Sequence, residues 1–187
     1  MTPLLIGLAY LIGSLQFGVL YARLRKHSDI RGDDLPGGSG IYRKYGLLPA
    51  IGVSSLDVLK GVLVAWIFVN ADPGALPWGV FAVVTGHNYP VFFGFNGGVG
   101  IATGLGSLAI TQFSEVIGTL FLAFAIGVVY KYTLQKQIRL FVIPFSSAVA
   151  LFILLLILGL NANFTSFWPW FAFGLAMALR SLHLLKR

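Results

Sequence analysis

Gly86-His87-Asn88-Tyr89-Pro90-Val91-Phe92-Phe93-Gly94-Phe95-Asn96-Gly97-Gly98-Val99-Gly100-Ile101-Ala102-Thr103 is an uncharged, glycine-rich turn set between two hydrophobic segments. It lies inside a longer run, Pro73 to Ser114, that holds no Asp, Glu, Lys or Arg. Met1 to Ala22 and Leu140 to Leu179 hold none either. A bilayer-crossing helix needs about 20 apolar residues, and each run supplies that many. Only 10% of the 187 residues are charged, against about 25% in a soluble domain. These features predict an all-α, polytopic membrane helical bundle.

The +7 net charge is distributed in a way that excludes nucleic-acid binding as its explanation. Arg23, Arg25, Lys26, Arg31, Arg43 and Lys44 follow the first apolar stretch; Lys131, Lys136 and Arg139 separate two later ones; Arg180, Lys186 and Arg187 close the chain. Asp72 and Glu115 fall in the intervening loops. Basic clusters confined to alternate loops follow the positive-inside rule. They place the N-terminus outside, the C-terminus in the cytoplasm and the protein in the plasma membrane. Because the basic residues follow the first apolar core rather than precede it, that segment is expected to be a retained helix and not a signal peptide. There is no cysteine, so disulfides and thiolate sites are excluded. Three scattered histidines offer no metal ligand set, and no cofactor is expected.

Seven transmembrane helices are predicted in one integral membrane domain, residues 1–187. They run from Pro3 to Arg23, Leu47 to Val69, Ala75 to Phe93, Val99 to Gln112, Ser114 to Tyr130, Leu140 to Leu160 and Trp168 to Leu182. The fourth is short for a full crossing. Leu24 to Gly46 reads as a polar cytoplasmic loop, Gly94 to Gly100 as a cytoplasmic turn and Asn161 to Trp168 as an external loop.

Backbone N–H groups freed by glycines at a helix start can hold a phosphate, which makes Gly97, Gly98 and Gly100 candidates. Arg31 and Arg43 are forked donors suited to the same anion, and the amides of Gly37 to Gly40 could add a nest. Asp33 and Asp34 would repel it. Alternatively, the loop is an ordinary juxtamembrane segment whose arginines meet anionic lipid. Asp57 and Lys60, three residues apart, share a helix face; inside a membrane such a pair is a functional group or a structural ion pair. His87 could shuttle protons or hold neighbouring backbone. Ser14, in Gly13-Ser14-Leu15-Gln16-Phe17-Gly18, fits close helix approach. His27 is expected to be solvated.

The stretch 86–103 resembles the second signature of the bacterial membrane acyl-phosphate:glycerol-3-phosphate acyltransferases, roughly G-H-x-x-P-V-F-x-x-F-x-G-G-K-G-x-A-T, with Val99 in place of the lysine. Asp29 to Arg43 is similar to the first, D-x-R-x-x-G-S-G-N-x-G-A-T-N-x-x-R, after a two-residue deletion. Asp29 and Arg31 match its opening pair, and Gly37, Ser39 and Arg43 fall on its G, T and closing R. Asp57, Lys60 and Gly61 match a D-x-x-K-G. Arg180 to Arg187 resembles the third, roughly R-H-R-x-N-I-K-R, with Ser181 and Leu184 replacing its histidine and asparagine.

The resemblance implies transfer of a fatty acyl group from acyl-phosphate to the 1-hydroxyl of glycerol 3-phosphate, giving lysophosphatidic acid, in a cytoplasm-facing site. It implies substrate binding by Arg31, Gly37, Gly38, Arg43, Lys60, Asn88, Gly97, Gly98, Gly100 and Thr103, with His87 or Ser39 replacing lost polar groups. Val99, Ser181 and Leu184 keep a second alternative open: an inactive homologue serving as a lipid-binding or structural subunit of a larger membrane complex. A small transporter is a third class, supported only by Asp57 and Lys60.

Overall fold

The computed structural model describes residues 1–138 and 140–185. Arg139, Lys186 and Arg187, which figure in the basic clusters and the third signature, lie outside the described residues. Every regular element among the described residues is helical. In chain order these are α1 (Thr2–Gly13), α2 (Phe17–Lys26), α3 (Gly38–Tyr45), α4 (Leu47–Ala71), α5 (Leu76–Asn88), α6 (Ile101–Leu108), α7 (Phe113–Thr133), α8 (Gln135–Ile138), α9 (Val142–Leu160) and α10 (Phe164–Leu185). Short 3₁₀ turns occupy Ile30–Gly32, Pro73–Ala75 and Val91–Phe93.

Four stretches are long and apolar enough to cross a bilayer: Thr2–Lys26, Leu47–Ala71, Phe113–Thr133 and Val142–Leu160. Their outward faces carry large apolar side chains, among them Phe121 and Phe124 on α7 and Phe152 and Leu156 on α9. This exterior suits hydrocarbon, and the chain is an integral membrane protein.

Packing centres on α5, which is flanked by α1 and α10; α4 packs on α6, α7 pairs with α9, and α3 lies on α4. Val80, Val83, Phe68, Leu108 and Trp170 fill the shared core with almost no exposure. A helix buried on most sides is apolar around its circumference, and α5 has that character except at its last residues, His87 and Asn88. Gly61 and Gly106 bring α4 and α6 together. A Cβ on Gly61 would overlap the Thr103 carbonyl, and one on Gly106 the Val58 carbonyl.

Five sequence expectations need correction. The first helix is broken at Ser14–Gln16, because Gln16 turns inward and its neighbours' carbonyls serve Lys60. The third ends at Asn88 rather than Phe93, since Pro90 lacks an N–H and forces Tyr89 out of the helical region. The fourth has only 8 residues, starting after Gly100, whose φ of +82° ends any helical run from Val99. The last begins at Phe164, so part of the expected external loop is helical. The loop 24–46 also contains α3.

Candidate active site

Asp57 and Lys60 do share a face of α4, and both are buried to within a few per cent of their surface. The Lys60 ammonium lies 2.9 Å from Asp57 Oδ1. It also donates to the carbonyls of Gly13 at 3.1 Å and Leu15 at 2.7 Å. These carbonyls are free because α1 stops there, and the last carbonyls of a helix lack internal partners. Lys60 Nζ lies 2.8 Å from His87 Nδ1. An ammonium has donors only, so Nδ1 accepts and Nε2 carries the ring proton. Nε2 is turned to Gly98, where a Cβ would run into the ring. Thr103 Oγ1 sits 3.4 Å from Nδ1, and Gln16 Nε2 donates to the His87 carbonyl at 2.6 Å.

The glycine turn is held from its other side by Arg180, which is fully buried in α10. Its guanidinium donates to the carbonyls of Gly97 at 2.7 Å and Gly98 at 3.2 Å and to Asn96 Oδ1 at 2.9 Å, and it lies over the Tyr89 ring. Asn88 completes the clamp. Its amide donates to the Ala176 carbonyl at 2.9 Å, and its own carbonyl accepts from the Gly97 N–H at 3.1 Å. The Gly97 amide is therefore already used, which corrects the expectation that it faces an anion. Gly100, at positive φ, turns the chain into α6, whose first N–H groups have no helical partners. Val99, where the signature carries lysine, is partly buried and packs against the apolar core cluster.

The basic loop is built differently. Arg31 forks onto Asp29, with Nη2–Oδ2 at 2.6 Å and Nε–Oδ1 at 2.9 Å, and donates Nη1–H to the Phe93 carbonyl. Arg23 also reaches Asp29. These hydrogen bonds, Arg31's above all, hold the Asp29 carboxyl well below the usual carboxylate range. Arg43 forks onto Asp34 with both contacts at 2.7 Å, lowering the Asp34 carboxyl, and lies over the Phe141 ring. Lys44 pairs with Asp33, which raises the lysine. The acidic residues expected to repel a phosphate thus hold the loop's cations instead. Arg23, Asp29, Arg31, Phe93, Gly94 and Asn96 line an open polar groove of about 600 Å³.

The structure gathers Lys60, His87, Asn88, Gly97, Gly98, Gly100 and Thr103 into one assembly, and Arg31 borders it through Phe93 and Asn96. Ser39, Gly37, Gly38 and Arg43 belong to α3 and its start, where Gly38 packs on Ser54 of α4. None of them shares a hydrogen bond or ion pair with Lys60 among the described residues. Sequence reading matched Arg180 to a signature but gave it no task, and it passed over Gln16. The usable signals were a glutamine inside a long apolar run and an arginine at the end of one. His27 is exposed, as expected.

The family model for glycerol-3-phosphate acyltransferase matches residues 3–184. The chain belongs to that family. A glycerol-3-phosphate acyltransferase 2 of Deinococcus radiodurans is 45% identical over 185 residues, covering 95% of this chain and 91% of that protein. The glycerol-3-phosphate acyltransferase of Pseudoalteromonas translucida is 43% identical over 112 residues, covering 58% of this chain and 55% of its own length. Among glycerol-3-phosphate acyltransferase structures, the chain is similar to the crystal structure of PlsY (YgiH), an integral membrane enzyme, in its glycerol 3-phosphate form. The TM-score is 0.82 at 28% identity, covering 100% of this chain and 90% of that one. The lysophosphatidic acid form of PlsY gives 0.81 at 27% identity, with the same coverage.

Proposed function

We propose that this protein transfers an acyl group from acyl-phosphate to glycerol 3-phosphate in the plasma membrane. Family membership over nearly the whole chain supports the reading. The observation that carries it is the 86–103 turn, clamped between Lys60–His87 and Arg180 and opening beside Arg31. The substrate hydroxyl attacks the acyl carbonyl carbon, the bond to the phosphate oxygen breaks, and the hydroxyl proton ends on the departing phosphate, so that the products are lysophosphatidic acid and hydrogen phosphate. Arg31 and Arg43 meet phosphate by exchanging their carboxylate partners for it. The amides of Gly98 and Gly100, with Thr103, present the start of α6 to acyl-phosphate. His87 supplies the Nε2–H beside Gly98, and Lys60 positions it. Ser39 faces the phosphate from the first turn of α3, alongside the Gly37 and Gly38 backbone.

The basic clusters support a cytoplasm-facing site, with seven spans, an external N-terminus and a cytoplasmic C-terminus in a single domain. The inactive-subunit alternative rests on Val99, Ser181 and Leu184 alone, and the clamp around the turn is in place despite them.

The test is acyl transfer by purified protein from palmitoyl-phosphate to labelled glycerol 3-phosphate, with Val99→Lys alongside. Lysophosphatidic acid well above a no-protein control is expected from wild type. Product from Val99→Lys alone would overturn the proposal and identify a discarded chemistry on a retained fold.

A further inference from the structure

The two forked cations of the loop 24–46 are each tied to a different membrane element. Arg31 donates to the Phe93 carbonyl beside the glycine turn. Arg43 reaches α9 instead: its guanidinium lies over the Phe141 ring, 4.9 Å from the centroid. Phe141 is the residue immediately before the first turn of α9, and the α7–α9 hairpin builds its position. Tyr130, near the end of α7, is buried. Its hydroxyl donates to the Leu140 carbonyl and accepts from the Leu140 N–H, both at 3.1 Å. One side chain thus holds both backbone groups of the residue next to Phe141. The Tyr130 ring stacks on Phe145 with centroids 4.0 Å apart, and the Phe145 N–H returns to the Phe141 carbonyl at 3.2 Å. The backbone is therefore fixed on both sides of Phe141, yet the ring itself is 66% exposed. Burial does not account for its placement; the guanidinium above it does.

Two restraints act on Arg43, and they differ in what they consume. Asp34 occupies its Nε–H and an Nη2–H, donors of the kind that a bidentate contact to phosphate uses. An aromatic face attracts a guanidinium through the ring quadrupole and takes none of its N–H groups. Arginine stacked on a ring keeps its planar fork available. When Asp34 gives up its two hydrogen bonds, Phe141 still holds the cation in place. Without the ring, Arg43 would be a long, partly exposed side chain, and fixing such a chain on binding costs rotamer entropy.

We propose that Phe141 is a positioning residue for Arg43: from the start of α9 it holds the guanidinium ready for a substrate phosphate, and Tyr130 holds Phe141. The proposal rests on the acyl-transfer reading for the task of Arg43. It extends the phosphate site to the α7–α9 hairpin, where none of the three signature stretches lies. The phosphate is that of glycerol 3-phosphate or of the acyl-phosphate, and separate titrations of the two tell them apart.

The test uses full-length protein in detergent and measures kcat and KM with glycerol 3-phosphate and palmitoyl-phosphate varied in turn. Equilibrium binding of glycerol 3-phosphate and of a non-transferable palmitoyl phosphonate is measured alongside. Phe141→Leu should raise the KM for one of the two substrates by about two- to five-fold, the size of an exposed cation–π contact, and leave kcat unchanged. Phe141→Trp, which keeps an aromatic face, should behave as wild type. Tyr130→Phe, which keeps the ring on Phe145 but releases Leu140, should raise the same KM by less. In an Arg43→Gln background, Phe141→Leu should have no further effect. A KM unmoved by Phe141→Leu would overturn the proposal. So would an effect of the same size in the Arg43→Gln background, which would make the ring a membrane anchor. Binding that depends on Phe141 only when Arg43 is present, in a protein that makes no lysophosphatidic acid, would keep the positioning role and remove the transfer reading. Transfer activity with KM and binding indifferent to Phe141→Leu would do the reverse.

Discussion

Asp57–Lys60 and Asp34–Arg43 are both carboxylate–cation pairs, and their surroundings give them opposite properties. The first pair has side chains only 2–3% exposed, while Arg43 and Asp34 keep 39% and 21% of theirs. Buried charges are tolerated only when fully partnered, and Lys60 accordingly binds a carboxylate, two carbonyls and an imidazole. That network cannot open without stranding a charge, so it serves as a frame for His87 and the glycine turn. An exposed pair contributes little, with a median of about 0–1 kcal/mol. Arg43 can therefore leave Asp34 at small cost, as its proposed role toward phosphate requires. One region fixes geometry, and the other exchanges partners.

Lys60→Met should produce the largest effect. It leaves Asp57 buried and unpaired, at an expected cost of about 3–5 kcal/mol, read as a lower unfolding temperature in detergent. Pairing it with Asp57→Leu should recover most of that loss. A single variant as stable as wild type would break the comparison, because the network would then not be a frame.

Next comes Arg180→Met. Hydrogen bonds to a charged group are worth about 1.5–3 kcal/mol, and the carbonyls of Gly97 and Gly98 would lose theirs. Faster amide hydrogen exchange confined to residues 94–100 is the expected result. Arg180→Lys should restore only part of the protection, because an ammonium lacks the planar fork. Exchange unchanged at the turn would show that Arg180 does not hold it.

The smallest effect belongs to the exchangeable side. Asp34→Asn should change stability by less than about 1 kcal/mol and, on the proposed role of Arg43 toward phosphate, lower the KM for that substrate by up to about five-fold. A raised KM would mean that Asp34 orients Arg43 rather than restraining it. Acid sharpens the same contrast. Asp29 and Asp34 are held below their ordinary range, so their contribution is fully present above the unfolded carboxylate pKa of about 3.9. It fades only as pH falls through the lower folded values. Loop pairing followed by infrared carboxylate bands should persist below pH 4.

The parts of this arrangement that were legible in sequence are those carried by local spacing. Asp57 and Lys60 announce themselves as a pair on one helix face, and Gly86–Thr103 announces a turn between membrane segments. Two kinds of feature were hidden. Arg180 and Gln16 act on backbone carbonyls, which leave no mark in side-chain pattern. Asp33 and Asp34 looked like obstacles to anion binding because their partners, Arg43 and Lys44, become neighbours only once α3 folds. Hydropathy also overran the third helix, since Val91-Phe92-Phe93 stays apolar after Pro90 has ended it.

The interruption at Ser14–Gln16 bears on biogenesis as well. A nascent first span would enter the bilayer with the Gly13 and Leu15 carbonyls unsatisfied, a state hydrocarbon penalises by several kcal/mol for each group. The side chain that satisfies them is Lys60, synthesised about 45 residues later, and it too is unfavourable in lipid on its own. Each segment is long and apolar enough to cross a bilayer, yet each carries polar groups that the other satisfies. Their insertion is therefore coupled: the translocon must hold or release them together, and the frame of the site is complete only after both have left it.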